Sequence, residues 1–265
     1  MSAFHHLKVD IASSGVAHVR LNRPPANAVD QNMYREIAAL FRQIDQVGPN
    51  VKAVVLSGEG RHFCAGNDLD EFATMTPENG TERMWRVREA FFAIAACDAP
   101  VVGAVHGAAL GTGLAIAASC DFVVAATDAR FGLPELTVGV MGGARHLGRI
   151  APQPLVRRMF FTGEPMTASE VANAGGCVFV CEREKLLDEA NRIAARIASL
   201  SPTAVRVGKK ILDRIEWMEL NQGYTFEQGA TVRMSGHPDS KESLSAFREG
   251  RPPNFLPFEH TKRWY

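Results

Sequence analysis

The chain has 265 residues, 46% of them hydrophobic, with 29 basic and 29 acidic side chains and no formal net charge. That length fits one large α/β domain, or one domain with a helical appendage, and the charge balance offers no global field for nucleic acid or an anionic membrane surface. The opening residues hold no apolar run of signal-peptide length, and the least charged stretch, Pro100 to Cys120, is too rich in Gly and Ala and too interrupted to span a bilayer. The five cysteines, Cys64, Cys97, Cys120, Cys177 and Cys181, form no CxxC pair and give no zinc-type spacing with histidine. A soluble, unexported, cytoplasmic protein with reduced thiols and no bound metal is the expectation.

In chain order, "LKVDIASSGVAHVRL" alternates around Ser13-Ser14-Gly15 and predicts a β-hairpin. Asp30 is placed to cap a helix running to about Val47, with Met33, Ile37, Leu40, Phe41 and Ile44 on one face. "VKAVVLSG" predicts a buried strand ending in a glycine loop, followed by a helix over about Glu82 to Ala96. "PVVGAVHG" predicts a second buried strand, Leu110 to Ser119 the next helix, and "DFVVAA" a third strand. Near-continuous apolar strands alternating with helices indicate a parallel sheet covered on both faces. After Gly142 helical periodicity dominates, at Pro152–Thr162, Ala168–Ala174, Glu182–Leu200, Thr203–Leu220 and Gln222–Ser235. Only "CVFV" reads as a strand there, and "RPPNFLPFEH" reads as extended. The character changes near residue 200, dividing a core of residues 1–200 from a helical region of residues 201–265. The apolar faces of that region, including Ile211, Ile215, Trp217, Met218 and Phe226, exceed what one sheet needs and predict subunit contact.

Two strand ends break into glycine-containing loops, "LSGEGRHFCAGNDL" and "VHGAALGTGL". In parallel sheets ligands bind at the carboxyl ends of strands, and helix N-termini present unpaired N–H groups. Converging loops of this kind form a donor pair for an oxygen that becomes negative, an oxyanion hole. The same glycines equally allow nothing more than tight strand-to-helix turns. "GAALGTG" has neither the GK[ST] ending of a phosphate loop nor the GxGxxG pattern.

"LNRPPANAV", "FCAGNDL", "GAALGTGLAIAASCDFVVA" and "FGLPELTVGV", in that order, resemble the enoyl-CoA hydratase/isomerase family, the crotonase superfamily, over essentially the whole chain. The resemblance implies an α/β fold, a crotonase-like spiral of ββα repeats with a C-terminal helical trimerisation region, often assembled as a dimer of trimers. It implies an acyl-CoA thioester as ligand and no separate cofactor. Carried over residue by residue, the backbone N–H groups of Asn67 and Thr112 are the expected oxyanion donors. The carbonyl of Ala65 is expected to meet the adenine amino group. Pro25, Ala26 and Ala28, with Gly66, Asp68 and Leu69, are expected along the CoA path. Glu135 in "LPEL" stands where the catalytic glutamate lies. Its apolar neighbours Phe131, Leu133 and Leu136 would raise its pKa toward acid–base use.

The chain departs from that pattern in several places. The second hydratase glutamate, three residues after the second donor, is replaced by Ala115. "MGGARHLGRI" follows Glu135 where the family often has "PGAGGTQRL", which makes Arg145 and His146 unusual; His146 titrates near neutrality unless it is a packing or surface residue. Cys64 is read as a small buried residue rather than a nucleophile, and His106 as structural. The C-terminal lysine that meets CoA phosphates is replaced by Gly250, leaving Arg248 and Arg251 as substitutes or as solvated helix-end charges. The expected activity is acyl-CoA transformation through a thioester enolate, as a hydratase or a double-bond isomerase. A thioester hydrolase and a non-catalytic acyl-CoA-binding paralogue are the alternatives. No nucleic-acid or membrane partner is expected.

Overall fold

A computed structural model of the protein describes residues 4–48, 50–174 and 178–258. β1 (Leu7–Ile11) and β2 (Val16–Leu21) form the expected antiparallel hairpin, with Leu7 opposite Leu21. α1 (Gln31–Arg42) starts at Asp30, whose carboxylate accepts the Met33 N–H at 2.7 Å. It buries Met33, Tyr34, Ile37, Leu40 and Phe41. The single helix expected to reach Val47 breaks at Gln43, which leaves helical φ/ψ (−123°, 33°), and α2 (Ile44–Val47) is a separate turn. β3 (Ala53–Gly58) and the short α3 (Leu69–Phe72) follow. α4 (Pro77–Ala95) begins earlier than its apolar pattern predicts, because the Thr76 N–H donates to Asn79 Oδ1 and Pro77 occupies the first turn.

The next stretch is β4 (Val101–Val105), β5 (Ala108–Leu110), α5 (Thr112–Ser119), β6 (Phe122–Ala126) and β7 (Arg130–Gly132). A 3₁₀ turn at Pro134–Val138 leads to α6 (Ala144–Leu147), α7 (Gln153–Thr162), β8 (Met166–Thr167), α8 (Ala168–Asn173) and β9 (Val178–Cys181). The chain ends in α9 (Leu186–Ala198), α10 (Pro202–Ile215), α11 (Leu220–Ser235) and α12 (Pro238–Glu249), with an extended stretch over residues 251–258.

The large sheet has the order β1-β2-β3-β4-β6-β9, parallel throughout except for the hairpin, and β5-β7-β8 form a small second sheet. Each turn of the chain gives a strand to the large sheet, then a strand to the small one, then helix, as in β4-β5-α5. In the β3 turn a single bridge, Cys64 to Ala109, replaces the small-sheet strand. This is the ββα spiral expected. One face of the large sheet, with Val54, Leu56 and Val105, packs on α1, α4 and α5 in the main core. The other face, with Val55, Val102 and Val124, is covered by Ala190, Ala194 and Ala198 of α9. The period-2 alternation of buried apolar residues on both faces is what makes these strands read as continuous apolar runs.

α10 belongs to the same body as the sheet. The Arg206 guanidinium, 4% exposed, donates to both Asp45 oxygens at 2.8 and 2.6 Å and to the Val51 carbonyl at 2.9 Å. Buried Lys209 meets Asp121 at 2.6 Å. Ile211 packs with Val207 and Ala230, and Ile215 and Met234 flank them, so part of the apolar surface of the helical region is used within the chain. Trp217, Leu220, Tyr224, Val232 and Phe247 remain largely exposed. Among the described cysteines, Cys64, Cys97, Cys120 and Cys181 are free thiols, and Cys177 lies outside the described residues. No helix is long and apolar enough to cross a membrane among the described residues.

Removing one partner of a buried charge pair costs more than removing both. Asp45→Ala, which strands the Arg206 guanidinium, is therefore expected to lower unfolding free energy by about 3 kcal/mol. Arg206→Met, which leaves the more accessible partner, Asp45 at 19% exposure, and a filled hole, is expected to cost less. Urea titrations of the two variants check the order.

Candidate functional site

Beyond β3 the chain returns alongside β5. Cys64 N–H donates to the Ala108 carbonyl at 2.9 Å, and Leu110 N–H to the Cys64 carbonyl at 3.1 Å. Further along, Ala65 N–H donates to Ala26 at 3.0 Å, Val29 N–H to Gly66 at 2.8 Å and Asp68 N–H to Val29 at 3.0 Å. The parallel bridge between Val29 and Asn67 thus uses the groups on either side of Asn67 and turns its own N–H away. That N–H has no partner among the described residues. The Thr112 N–H, at the first position of α5, also has none among the described residues, while Gly111 before it donates to Gly132 and accepts from Ala115. Gly113 is what lets these two segments meet: a Cβ there would sit 2.1 Å from the Cys64 carbonyl oxygen.

Asn67 and Thr112 line one cleft, together with Ala28, Ala65, Gly66, Asp68, Leu69 and Glu135. The Ala65 carbonyl accepts no hydrogen bond among the described residues. Pro25 and Ala26 lie outside the cleft lining, Pro25 exposed and Ala26 engaged through its carbonyl with Ala65. The loop that carries them is pinned from beneath. Asn27, buried at φ +53°, donates to the carbonyls of Glu59, His62 and Phe63. Arg23 pairs with Asp68 at 2.5 Å and with Asp30 at 3.2 Å, and donates to the Ala28 carbonyl. Asp68 also caps α3, and these bonds hold its carboxyl below the usual carboxylate range.

Glu135 sits in the first turn of the 3₁₀ segment, which apolar periodicity does not reveal. Glycines surround its carboxyl. A Cβ on Gly111, Gly143 or Gly142 would lie 3.1, 3.4 or 3.9 Å from Oε1. Oε2 is buried without a hydrogen-bond partner. Burial outweighs a hydrogen bond from the residue's own backbone N–H and pushes the Glu135 carboxyl above the ordinary glutamate value.

Tyr34 is the residue that sequence reasoning missed. Its hydroxyl lies 2.6 Å from Asn67 Oδ1 and 2.7 Å from Thr112 Oγ1, joining the side chains of the two residues with free N–H groups. The available signal was a tyrosine on the buried face of α1, since a buried phenol needs a polar partner.

The remaining candidates fall elsewhere. Ala115 is 2% exposed and is part of the core. His146 packs edge-on against Phe91 at 5.0 Å, burial lowers its pKa, and with Arg145 it borders a different groove, where Arg145 stacks on Trp217. Burial pushes the Cys64 thiol up to about 12, which makes it a poor nucleophile. His106 is buried, with Nε2 3.0 Å from the Gly60 carbonyl. Gly250 closes α12 at φ +64°, Arg251 is paired with Glu242 and Glu249, and Arg248 is exposed.

A ββα spiral with two free backbone N–H groups and one buried carboxyl in a single cleft defines a crotonase-fold protein. The Enoyl-CoA hydratase/isomerase family model matches residues 12–257. The solved enoyl-CoA hydratase of Bacillus anthracis is 32% identical, with a TM-score of 0.89 over 95% of this chain and 99% of that one. The 2,3-dehydroadipyl-CoA hydratase of Escherichia coli is 32% identical over 89% of this chain and 92% of its own. The (7aS)-7a-methyl-1,5-dioxo-2,3,5,6,7,7a-hexahydro-1H-indene-carboxyl-CoA hydrolase of Rhodococcus jostii is 34% identical over 90% of this chain and 93% of its own. The chain belongs to the enoyl-CoA hydratase/isomerase family and is an acyl-CoA-transforming enzyme.

A carboxyl whose folded-state pKa is raised binds its proton more tightly in the folded protein. Its neutral form therefore favours folding, and that contribution is lost as pH rises past the ordinary value of 4.5 toward the raised one. Glu135→Gln, which keeps the neutral shape, is expected to be more stable than the parent protein at pH 8. The difference should shrink toward zero as pH approaches 4.5. Thermal melts across that range read the effect.

Proposed function

We propose that the cleft binds a CoA thioester with its carbonyl oxygen on the Asn67 and Thr112 N–H groups, and that Glu135 alone moves the proton. The observation that carries this reading is the convergence on one cleft of two backbone donors without a partner among the described residues and one carboxyl whose Oε2 is buried without a partner. Donors aimed at the thioester oxygen stabilise the enolate that forms when a C–H proton leaves. Glu135, ionised, takes that proton from one carbon of the enoyl chain and returns it to another, shifting the double bond. The other acids beside the cleft fit this role poorly, since Asp68 is committed to Arg23 and to the α3 cap and Asp70 is exposed. The free Ala65 carbonyl supports the adenine contact, and Ala28, Gly66, Asp68 and Leu69 supports for the CoA path. Alanine at position 115 weighs against a hydration that needs two carboxylates. Hydrolysis of the thioester is the second reading, favoured by the likeness to the Rhodococcus jostii hydrolase.

A screen of trans-2-enoyl, cis-3-enoyl and saturated CoA thioesters, with products weighed by mass spectrometry, separates these readings. Double-bond migration without mass change is expected, free CoA would favour the hydrolase, and water addition at rates of about 1–10³ per second would overturn the single-carboxylate account. Glu135→Gln should lower kcat by ~10²–10⁴-fold. In the parent enzyme kcat should rise with pH through an apparent pKa above the ordinary glutamate value, because the proton acceptor must be ionised.

The enzyme is proposed to work in the cytoplasm without a further cofactor, as a trimer or dimer of trimers. Exposed Trp217, Leu220, Tyr224 and Val232 support subunit contact through α11 and the end of α10. Sedimentation should show no stable monomer at micromolar concentration.

A further inference from the structure

The two residues with free N–H groups carry larger polar side chains than a backbone donor requires. Thr112 is buried and Asn67 half-buried, so each side chain brings a polar group that needs a partner. Tyr34 supplies both partners at once. The direction of the bonds follows from the donor inventory. A phenol has one hydrogen, and Asn67 Oδ1 can only accept, so Tyr34 donates to Asn67 and accepts from Thr112. The chain runs Thr112 Oγ1–H to Tyr34 Oη–H to Asn67 Oδ1, every link at 2.6–2.7 Å.

The backbone around these residues shows what the chain has to hold. Residues 64–68 pair with the rest of the fold through two isolated bridges, Val29 to Asn67 and Cys64 to Ala109, and not through a strand, with the Ala65–Ala26 hydrogen bond and the Asp68–Arg23 pair beside them. α5 starts one residue after Gly111, which has φ +53°. Each free N–H is one bond from the Cα that carries a tied side chain. Tyr34 comes from α1, a separate rigid element, and its ring rests edge-on against Phe91 of α4 at 6.2 Å. Tyr34 therefore anchors both donor-bearing segments to one point in the helical layer.

We infer that Tyr34 is a positioning residue for thioester activation: through Asn67 and Thr112 it fixes the spacing and aim of the two backbone N–H groups toward the carbonyl oxygen. This inference rests on the proposed thioester site. It extends that site beyond the residues lining the cleft, to a side chain that touches neither substrate nor the reacting atoms. A purely structural tyrosine would leave carbonyl polarisation alone and act on folding stability only.

The test uses Tyr34→Phe, which keeps the ring against Phe91 and removes the hydroxyl. Butyryl-CoA is bound to the full-length enzyme, and the thioester C=O stretch is read by difference infrared spectroscopy. The parent enzyme is expected to shift the band to lower wavenumber than free butyryl-CoA, and Tyr34→Phe to shift it less. kcat on the enoyl-CoA substrate should fall about 10-fold, with KM little changed, against the ~10²–10³-fold cost of deleting a donor outright. If the variant shows the full parental shift, the inference is overturned while the thioester site stands. If the parent enzyme itself leaves the band unshifted, the thioester site falls, and the inference with it. Should Tyr34→Phe not fold, Thr112→Val removes one end of the chain with its shape kept, and a full parental shift there overturns the inference equally.

Discussion

The site depends on one contact between two pieces of backbone. The first turn of α5 rests against the Cys64 carbonyl so closely that a single methyl group on residue 113 would overlap it. Gly113 permits the approach. The same Cys64 carbonyl accepts from Leu110, which holds the strand before α5 against the loop after β3. Asn67 and Thr112 lie within a few residues of this contact, so the distance between their free N–H groups is set first by main chain against main chain. Backbone donors survive changes of side chain, which is why asparagine and threonine are tolerated at these two positions. The side chains then add the connection through Tyr34, a refinement of a spacing that the glycine makes possible.

The carboxyl in the same cleft is held by different means. Glu135 has its own backbone N–H as donor, and beyond that it faces glycines whose missing side chains leave it room and offer Oε2 no partner. Burial outweighing a single backbone hydrogen bond favours the neutral acid at Glu135, whereas Asp68, a short way off, has a helix cap and an arginine and stays readily ionised. Two carboxyls in one cleft are thereby driven apart in proton affinity by their surroundings. In the proposed reaction the group with the raised pKa is the one that takes up and gives back the proton. Glycines in "LGTG" and "MGG" thus serve two purposes: close approach at residue 113, and an open, donor-poor wall around Glu135 at residues 111, 142 and 143.

Much of this was legible in the sequence, and the failures share a cause. Long apolar runs and helical faces gave the large sheet, α1, α5, α7 and α9, because burial writes a period into consecutive residues. β5, β7 and β8, of two or three residues each, are too short to show one. α12 was missed because "PDSKESLSAFRE" has little apolar contrast, buries only Asp239 and Ala246, and is started by a His237 cap. The break at Gln43 leaves no glycine or proline as a marker. Asn67, Thr112 and Glu135 were singled out through the family motifs, and the structure brings the three to one cleft. Tyr34, Arg206 and Lys209 were not found, since what makes each of them matter is a partner far along the chain: Thr112, Asp45 and Asp121. A sequence shows that a polar residue sits on a buried face; it does not show what waits for it there.

The alanine at position 115 has its own physical logic. All eight residues of α5 are buried, and they are small or aliphatic, so the helix is wrapped by the core on every side. A carboxylate on this helix would lose its hydration, a cost of several kcal/mol unless the cleft supplied water or donors. At 2% exposure, residue 115 has little of either. In the proposed reaction, proton traffic then has to pass through Glu135 alone. One carboxylate balances an internal proton transfer completely, since the proton that it removes is the proton that it returns. Addition of water asks for more, an oxygen nucleophile oriented on the β-carbon, and neither Asp68, spent on Arg23, nor the glycine wall around Glu135 provides a second acceptor to hold it. The packing of α5 therefore bears directly on the proposed chemistry: a core closed around residue 115 is consistent with a reaction that moves protons within a thioester rather than one that adds water to it.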